Sequence, residues 1–280
     1  MVGWVGYFYL LYHVKYFIAF QLLIYSLLCS SAHAQVDNWD TYIAKFGDKP
    51  GSVLVDMGLK NVAPDPRYPY LVVTGPKVHN CNKQGLPDKE DIPSLEEVLD
   101  ATSNFITGVT AKVLAGTLTY NCQRLNYYYV KDTTGIRNAI GRMYSRTFPN
   151  FSYVISIRPD AEWIEYRTFL YPSEATRNWM DNSKIITQMK QDGDSLTRPK
   201  DITFDLYFRA DTGRTLFMNF AATKGYKTEP IMNHKATNAP YELLATKTAL
   251  VKMAIIDSLS NELRTEAKKH NGFYSGWSAK

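Results

Sequence analysis

Between residues 202 and 209 apolar and polar side chains alternate without a break: Ile202, Phe204, Leu206 and Phe208 against Thr203, Asp205, Tyr207 and Arg209. A period of two sends each set to its own face of an extended strand, so this run calls for a sheet with one covered and one open face. Helical signals surround it. Residues 173–191 read as a helix with Trp179, Asn182, Ile186 and Met189 down one side, stopped by Asp192-Gly193-Asp194. After the strand, Asp211 can cap a helix whose Leu216, Phe217, Phe220 and Ala221 share a face. Strands are expected near 226–234 and 242–251. A helix carrying Ile255, Ile256, Leu259, Leu263 and Ala267 follows, and 272–277 closes the chain as a short edge strand.

The preceding part repeats the order. Short β-branched runs at 52–57 and 70–74, bounded by Pro and Gly, read as strands. Ser94-Leu95-Glu96-Glu97 is a capping-box signature for a helix over about 95–106. Strands over 113–120 and 124–130 flank a tight Asn121-Cys122-Gln123 connection, and a helix is expected within 134–144. Phe151, Tyr153, Ile155 and Ile157 then alternate with Ser152, Val154, Ser156 and Arg158, a strand with one buried face. Strand, helix, strand, strand, helix, strand is the ferredoxin-like order. With Pro172 as the boundary, the expected fold class is α+β. Two ferredoxin-like domains, 35–172 and 173–280, have antiparallel sheets with helices packed on one face, after an N-terminal signal peptide over 1–34.

The leader rests on an apolar run from 17 to 28, shorter than a membrane span, followed by Ala32-His33-Ala34. Small side chains at Ala32 and Ala34 suit signal peptidase, with the cut before Gln35. The first 13 residues hold a second apolar stretch without a basic start, whereas a start at Val14 gives a conventional leader; an uncleaved anchor is the competing reading. Cleavage predicts a periplasmic or secreted bacterial protein with no stable membrane span. It also removes only Lys15 among charged residues, leaving 31 basic against 27 acidic side chains. These are interspersed, as in Arg264-Thr265-Glu266-Ala267-Lys268, and form no basic stripe, so no nucleic-acid partner is expected. The 20 tyrosines read first as sheet packing. Two cysteines remain, Cys81 and Cys122. An oxidising compartment allows them to bridge, and the arrangement of strands puts both at one sheet end; two separate thiols are the alternative.

Two stretches carry a family resemblance. Asn80 to Leu95 with Gly85-Leu86-Pro87, the hairpin before Tyr127-Tyr128-Tyr129-Val130, and Glu162-Trp163-Ile164-Glu165-Tyr166-Arg167 running on to Pro172 resemble the bacterial domain of unknown function 695. From Lys184 onward the chain resembles regulator of ribonuclease E activity B (RraB). The matching pieces are Gln191-Asp192-Gly193-Asp194-Ser195-Leu196, the helix after Asp211, Lys224-Gly225-Tyr226 and Gly272-Phe273-Tyr274-Ser275-Gly276-Trp277. Ser275 stands where that family usually carries an acid. The resemblance implies a non-enzymatic protein that binds another protein. RraB-type proteins inhibit a cytoplasmic ribonuclease, a target an exported chain would not meet.

Catalytic signatures are missing from the sequence. Asp160, Glu162 and Glu165, and Asp192 with Asp194, are neighbours in turns rather than carboxyls facing across a substrate. Asp192-Gly193-Asp194 lacks the rest of a calcium loop, and His79-x-Cys81 lacks a second ligand pair, so no metal and no cofactor are expected. His234 and His270 read as surface or capping residues. The expected activity is binding of an unknown protein partner through sheet edges or the inter-domain groove. Asp192, Gly193, Asp194, Tyr274 and Trp277 are the expected contact residues. A cell-envelope hydrolase or small-ligand binder using the inter-domain cleft is the alternative.

Overall fold

The computed structural model describes residues 37–78, 80–232 and 238–280. The leader with Ala32 and Ala34, and the two histidines His79 and His234, lie outside the described residues.

Six antiparallel strands form the first sheet: β1 (Trp39–Phe46), β2 (Lys49–Asp56), β3 (Tyr70–Pro76), β4 (Lys112–Tyr120), β5 (Gln123–Val130) and β6 (Tyr153–Pro159). Their spatial order is β1-β2-β4-β5-β3-β6. Helix α1 (Ile92–Thr107) links β3 to β4, and α2 (Ile136–Thr147) links β5 to β6. The last four strands and two helices therefore take the expected ferredoxin-like order. The hairpin of β1 and β2 extends the sheet past β4, and β1 was not foreseen. Only Tyr42 of that strand is buried, while Trp39 and Ile43 on its other face are exposed, so its apolar residues fall on both faces and hide the period.

Continuous apolar runs explain why β3 and β5 lie in the middle. Val72, Tyr128 and Val130 pack under α1 and α2, whereas Leu71, Val73, Tyr127 and Tyr129 face the other way into a second core. Strands buried on both faces read as unbroken apolar runs rather than alternations. Helices on one face alone therefore do not describe this sheet. Its second face is covered by the chain from Asp160 to Tyr171, which includes a π-helical turn, Glu165–Leu170. Trp163 anchors that cover, fully buried and stacked on Tyr129 with ring centroids 3.9 Å apart. Its Nε1 donates to the Tyr68 carbonyl at 3.0 Å. The Asp160 carboxylate accepts from Ile164 N at 2.8 Å, Glu165 N at 3.1 Å and Tyr129 Oη at 2.7 Å. This acid holds the cover's first turn.

Local signals were displaced at several points. Helix α1 begins at Ile92 with Pro93 in its first turn, so Ser94 lies inside it and donates to the Asp91 carbonyl. The capping box does not form, because proline already starts the helix three residues earlier. The β4–β5 turn is tighter than expected: Asn121 and Cys122 alone make it, with φ of 48° and 58°. Two successive left-handed residues give the hairpin twist that matches the strands. β6 is an edge strand, so Ile155 and Ile157 are only partly buried.

The second sheet comprises β7 (Pro199–Phe208), β8 (Lys227–Met232), β9 (Tyr241–Leu250) and β10 (Gly272–Ala279), in the order β10-β7-β9-β8. Helix α3 (Glu174–Gln191) precedes it; α4 (Asp211–Thr223) and α5 (Met253–Lys269) make the crossovers. This is the ferredoxin-like order again. Ile202, Phe204, Leu206 and Phe208 are all fully buried against Phe217, Ile256 and Leu263. Two expectations on α4 fail. Asp211 is its first residue, held by Arg214 at 2.7 Å, and not its cap; Leu216 is 54% exposed. The buried face is instead Gly213, Phe217 and Ala221, because the helix approaches so closely that a Cβ at Gly213 would sit 2.4 Å from the His270 carbonyl oxygen. On α3, Trp179 likewise lies at the surface while Asn178 and Asn182 turn inward.

Glu174 ties α3 to α5. Its carboxylate meets Lys268 Nζ, and its carbonyl accepts from Arg264 Nη1 at 2.5 Å. The Lys268 hydrogen bond, then the Arg264 charge, hold Glu174 below its ordinary 4.5. A carboxylate with a depressed folded pKa stabilises the fold above its unfolded value, and that contribution fades as pH falls through the folded value. Urea midpoints of the wild type and Glu174→Gln should therefore differ at about pH 6 and converge by about pH 3. A gap of constant size across that range would show that the charge is not involved.

Candidate binding surfaces

The expected contact residues divide between a helix stop and a core. Asp192 caps the C-terminus of α3 and accepts from Gln188 Nε2 at 2.8 Å. Gly193 supplies the left-handed step, with φ of +90° and open space around it. Asp194 pairs with Lys200 at 2.8 Å and accepts from Leu196 N at 2.9 Å, and the lysine holds its carboxyl below the usual range. Local bonding accounts for this turn. Trp277 is only 5% exposed, and its Nε1 donates to Asn182 Oδ1 at 2.9 Å. Asn182 Nδ2 in turn donates to Ser260 Oγ at 3.0 Å. The Tyr274 ring lies against Phe204, and burial pushes its phenol pKa up.

Trp277 is buried and Tyr274 half-buried, both with their rings toward the core. Positions 274 and 277 are an odd number apart, so a regular strand would turn them to opposite faces. A bulge between Tyr274 and Gly276 resets the phase and turns both toward the core. Phe273 is left outside, 48% exposed and stacked on Tyr207 at 5.4 Å. Reading residues 272–277 for a bulge was the signal that could have singled out Phe273.

Phe273 belongs to an open sheet face. Cross-strand pairing sets Ile231, Glu242, Tyr207 and Phe273 in one row, and Glu229, Leu244 and Asp205 in the next. Among the described residues, the cluster that fills the packed face includes none of these. The sheet's interior positions here stay half-buried, and Glu229 and Phe273 are exposed. Partial burial and then the Glu242 charge raise the Asp205 pKa. Burial, Glu242 and Asp205 together raise that of Tyr207. A third row carries Lys227 at the β8 edge beside the Thr203–Thr246 hydroxyl pair. The face is thus aromatic and apolar with crowded carboxylates, and β10 beside it is a sheet edge.

A groove of about 370 Å³ separates β1 and the turn after β2 from α3. Lys60, Asn61 and Tyr171 line one side, Arg177 and Asp181 the other. Asp40 crosses it to Lys184 at 2.5 Å. Elsewhere, Cys81 and Cys122 form a disulfide with Cα atoms 5.7 Å apart, at the sheet end where both strands finish. Of the acids in the Asp160 segment, Glu165 pairs with Arg158 at 2.6 Å. Among the described residues no group of three His, Cys, Asp or Glu side chains could hold a metal, and no helix is long and apolar enough to cross a membrane.

Residues 37–171 match a family of unknown function, DUF695, and residues 179–279 match the family Regulator of ribonuclease activity B. The chain joins a DUF695-like region to an RraB-like region. The open face and β10 lie wholly in the RraB-like region, and the groove lies where the two meet. Four solved chains also match. Two of them are an unknown protein from Galdieria sulphuraria at 10% identity and a candidate glycine cleavage system transcriptional repressor at 9%. Each of these two matches covers 76% of this chain and 98% of the other, with a TM-score of 0.21, too low to bear on fold or function. Comparison with curated proteins gave no match.

Proposed function

We propose that the protein is an exported, non-catalytic module that binds a basic protein segment on the open face of its RraB-like sheet, beside the β10 edge. The Tyr207–Phe273 stack carries this reading. An exposed phenylalanine on a sheet face that no described helix covers is a ready contact anchor, and aromatic residues dominate binding energy at interfaces. Asp205 and Glu242 lie beside it, and two neighbouring carboxylates would draw a partner's lysine or arginine. The family name Regulator of ribonuclease activity B supports a regulatory, protein-binding role; the ribonuclease itself is not carried over. The disulfide supports an oxidising workplace, periplasmic or secreted.

Photocrosslinking tests the surface. A photoreactive phenylalanine at position 273 of the exported chain should yield a discrete adduct, whereas one at Leu216, exposed on α4, should not. Asp205→Lys with Glu242→Lys should weaken capture by about thirtyfold, the ~2 kcal/mol of an interface hot spot, and added salt should weaken it further. Adducts that form equally at both positions, or ignore the charge reversal, would sink the proposal. For export, the processed protein should begin at Gln35 in the periplasmic or secreted fraction; cytosolic material beginning at Met1 would refute it.

A further inference from the structure

The groove between the DUF695 and RraB-like regions holds an unmet charge. Arg177, on the first turns of α3, has a guanidinium Nε that is buried and has no hydrogen-bond partner. A buried donor left unpaired costs about 1–3 kcal/mol. Its guanidinium carbon lies 5.7 Å from the Tyr171 ring centre, and Lys60 Nζ lies 5.0 Å from the same ring. Two cations beside one ring repel each other unless something negative joins them. The neighbouring acids do not cancel them. Asp40 is taken by Lys184. Asp181 attracts both Arg177 and Lys184 from a distance, and among the described residues neither Arg177 nor Lys60 has a carboxylate within ion-pair reach.

We propose that this groove binds a small anion, a carboxylate or a phosphate group, held by Arg177 and Lys60 beside Tyr171. The fork of a guanidinium matches two oxygens of either group, and Lys60 adds a point charge from the opposite wall. Asn61, on the Lys60 side, offers an amide donor. A volume of about 370 Å³ admits a small metabolite or the end of a peptide but no folded partner. Because Lys60 lies in the DUF695 match and Arg177 on α3, which runs on into the RraB match, the anion would bridge the two parts.

Calorimetric titration of the mature chain with inorganic phosphate, and separately with succinate, tests the site, with sodium chloride as the ionic-strength control. One of the two anions should bind at one per chain. Lys60→Gln and Arg177→Gln should each weaken it about tenfold, the ~1.4 kcal/mol of one charge-assisted contact. Lys269→Gln, a lysine remote from the groove on α5, should leave binding unchanged. Lys60 is exposed, so its replacement keeps the fold even where that of Arg177 disturbs α3. Tighter binding of phosphate would identify a phosphorylated ligand, and of succinate a carboxylate. Heats no larger than those of chloride, or binding indifferent to Lys60→Gln, would overturn the proposal.

Discussion

Trp163→Ala should lower the folding stability by about 3–5 kcal/mol, the usual loss when a buried tryptophan is truncated. That is a large share of the roughly 5–15 kcal/mol that holds a domain together. Three losses add. The ring leaves a cavity against Tyr129, on which it stacks at 3.9 Å, and against the edge of Tyr166 at 6.1 Å. The Tyr68 carbonyl loses its indole donor. The cover over the second sheet face is then held at this end by the hydrogen bonds of Asp160 and Tyr166, without the largest apolar contact. The backbone makes the test sharper. Trp163 has φ of 53°, a left-handed conformation that suits glycine and strains other residues. Trp163→Gly should therefore be no worse than Trp163→Ala, although glycine ordinarily costs more than alanine. Trp163→Phe should retain a good part of the stack. Urea denaturation gives all three values; an alanine variant within about 1 kcal/mol of the wild type would mean that the segment is not part of the core.

Signals that depend on one face of one element were legible in the sequence. The Ile202–Phe208 alternation is legible because β7 has helices on one side and, among the described residues, none on the other. Signals that depend on two partners were not. β1 shows apolar residues on both faces, since Tyr42 meets the Asp160–Tyr171 cover while Trp39 and Ile43 face outward. The cover itself has no period to find: a tryptophan in left-handed conformation and a π-helical turn are set by Tyr129 and Asp160, more than thirty residues away or at the segment's start. At the candidate surface the exposure of the aromatics turns on one residue. A regular strand would turn Trp277 outward; the bulge before Gly276 buries it and leaves Phe273 as the exposed aromatic. The groove was expected only as a place, because Lys60 and Arg177 are 117 positions apart and meet only through tertiary structure.

Reducing the Cys81–Cys122 bridge should cost about 4 kcal/mol, as expected for a cross-link that closes a loop of this length in the unfolded chain. The separation of 41 residues spans the whole of α1 and β4, so the bridge restricts much of the ferredoxin-like unit before it folds. The native loop gains too. Cys122 N donates to the Gly85 carbonyl at 2.8 Å, and Val78 N to the Cys122 carbonyl at 2.7 Å, which binds the long β3–α1 connection to the β4–β5 turn. Cys122 occupies that turn with φ of 58°, where glycine after asparagine is the preferred residue. With the bridge gone, nothing favours a cysteine or serine there. Cys81→Ser combined with Cys122→Gly should thus be more stable than the double serine variant by about 1 kcal/mol, while both stay well below the oxidised protein. Chemical denaturation with and without reductant measures the set. Coincident oxidised and reduced midpoints would remove the bridge as a stabilising element. With it would go the support that the bridge lends to the proposed oxidising compartment, since a chain about 4 kcal/mol less stable when reduced is better suited to folding outside the cytoplasm.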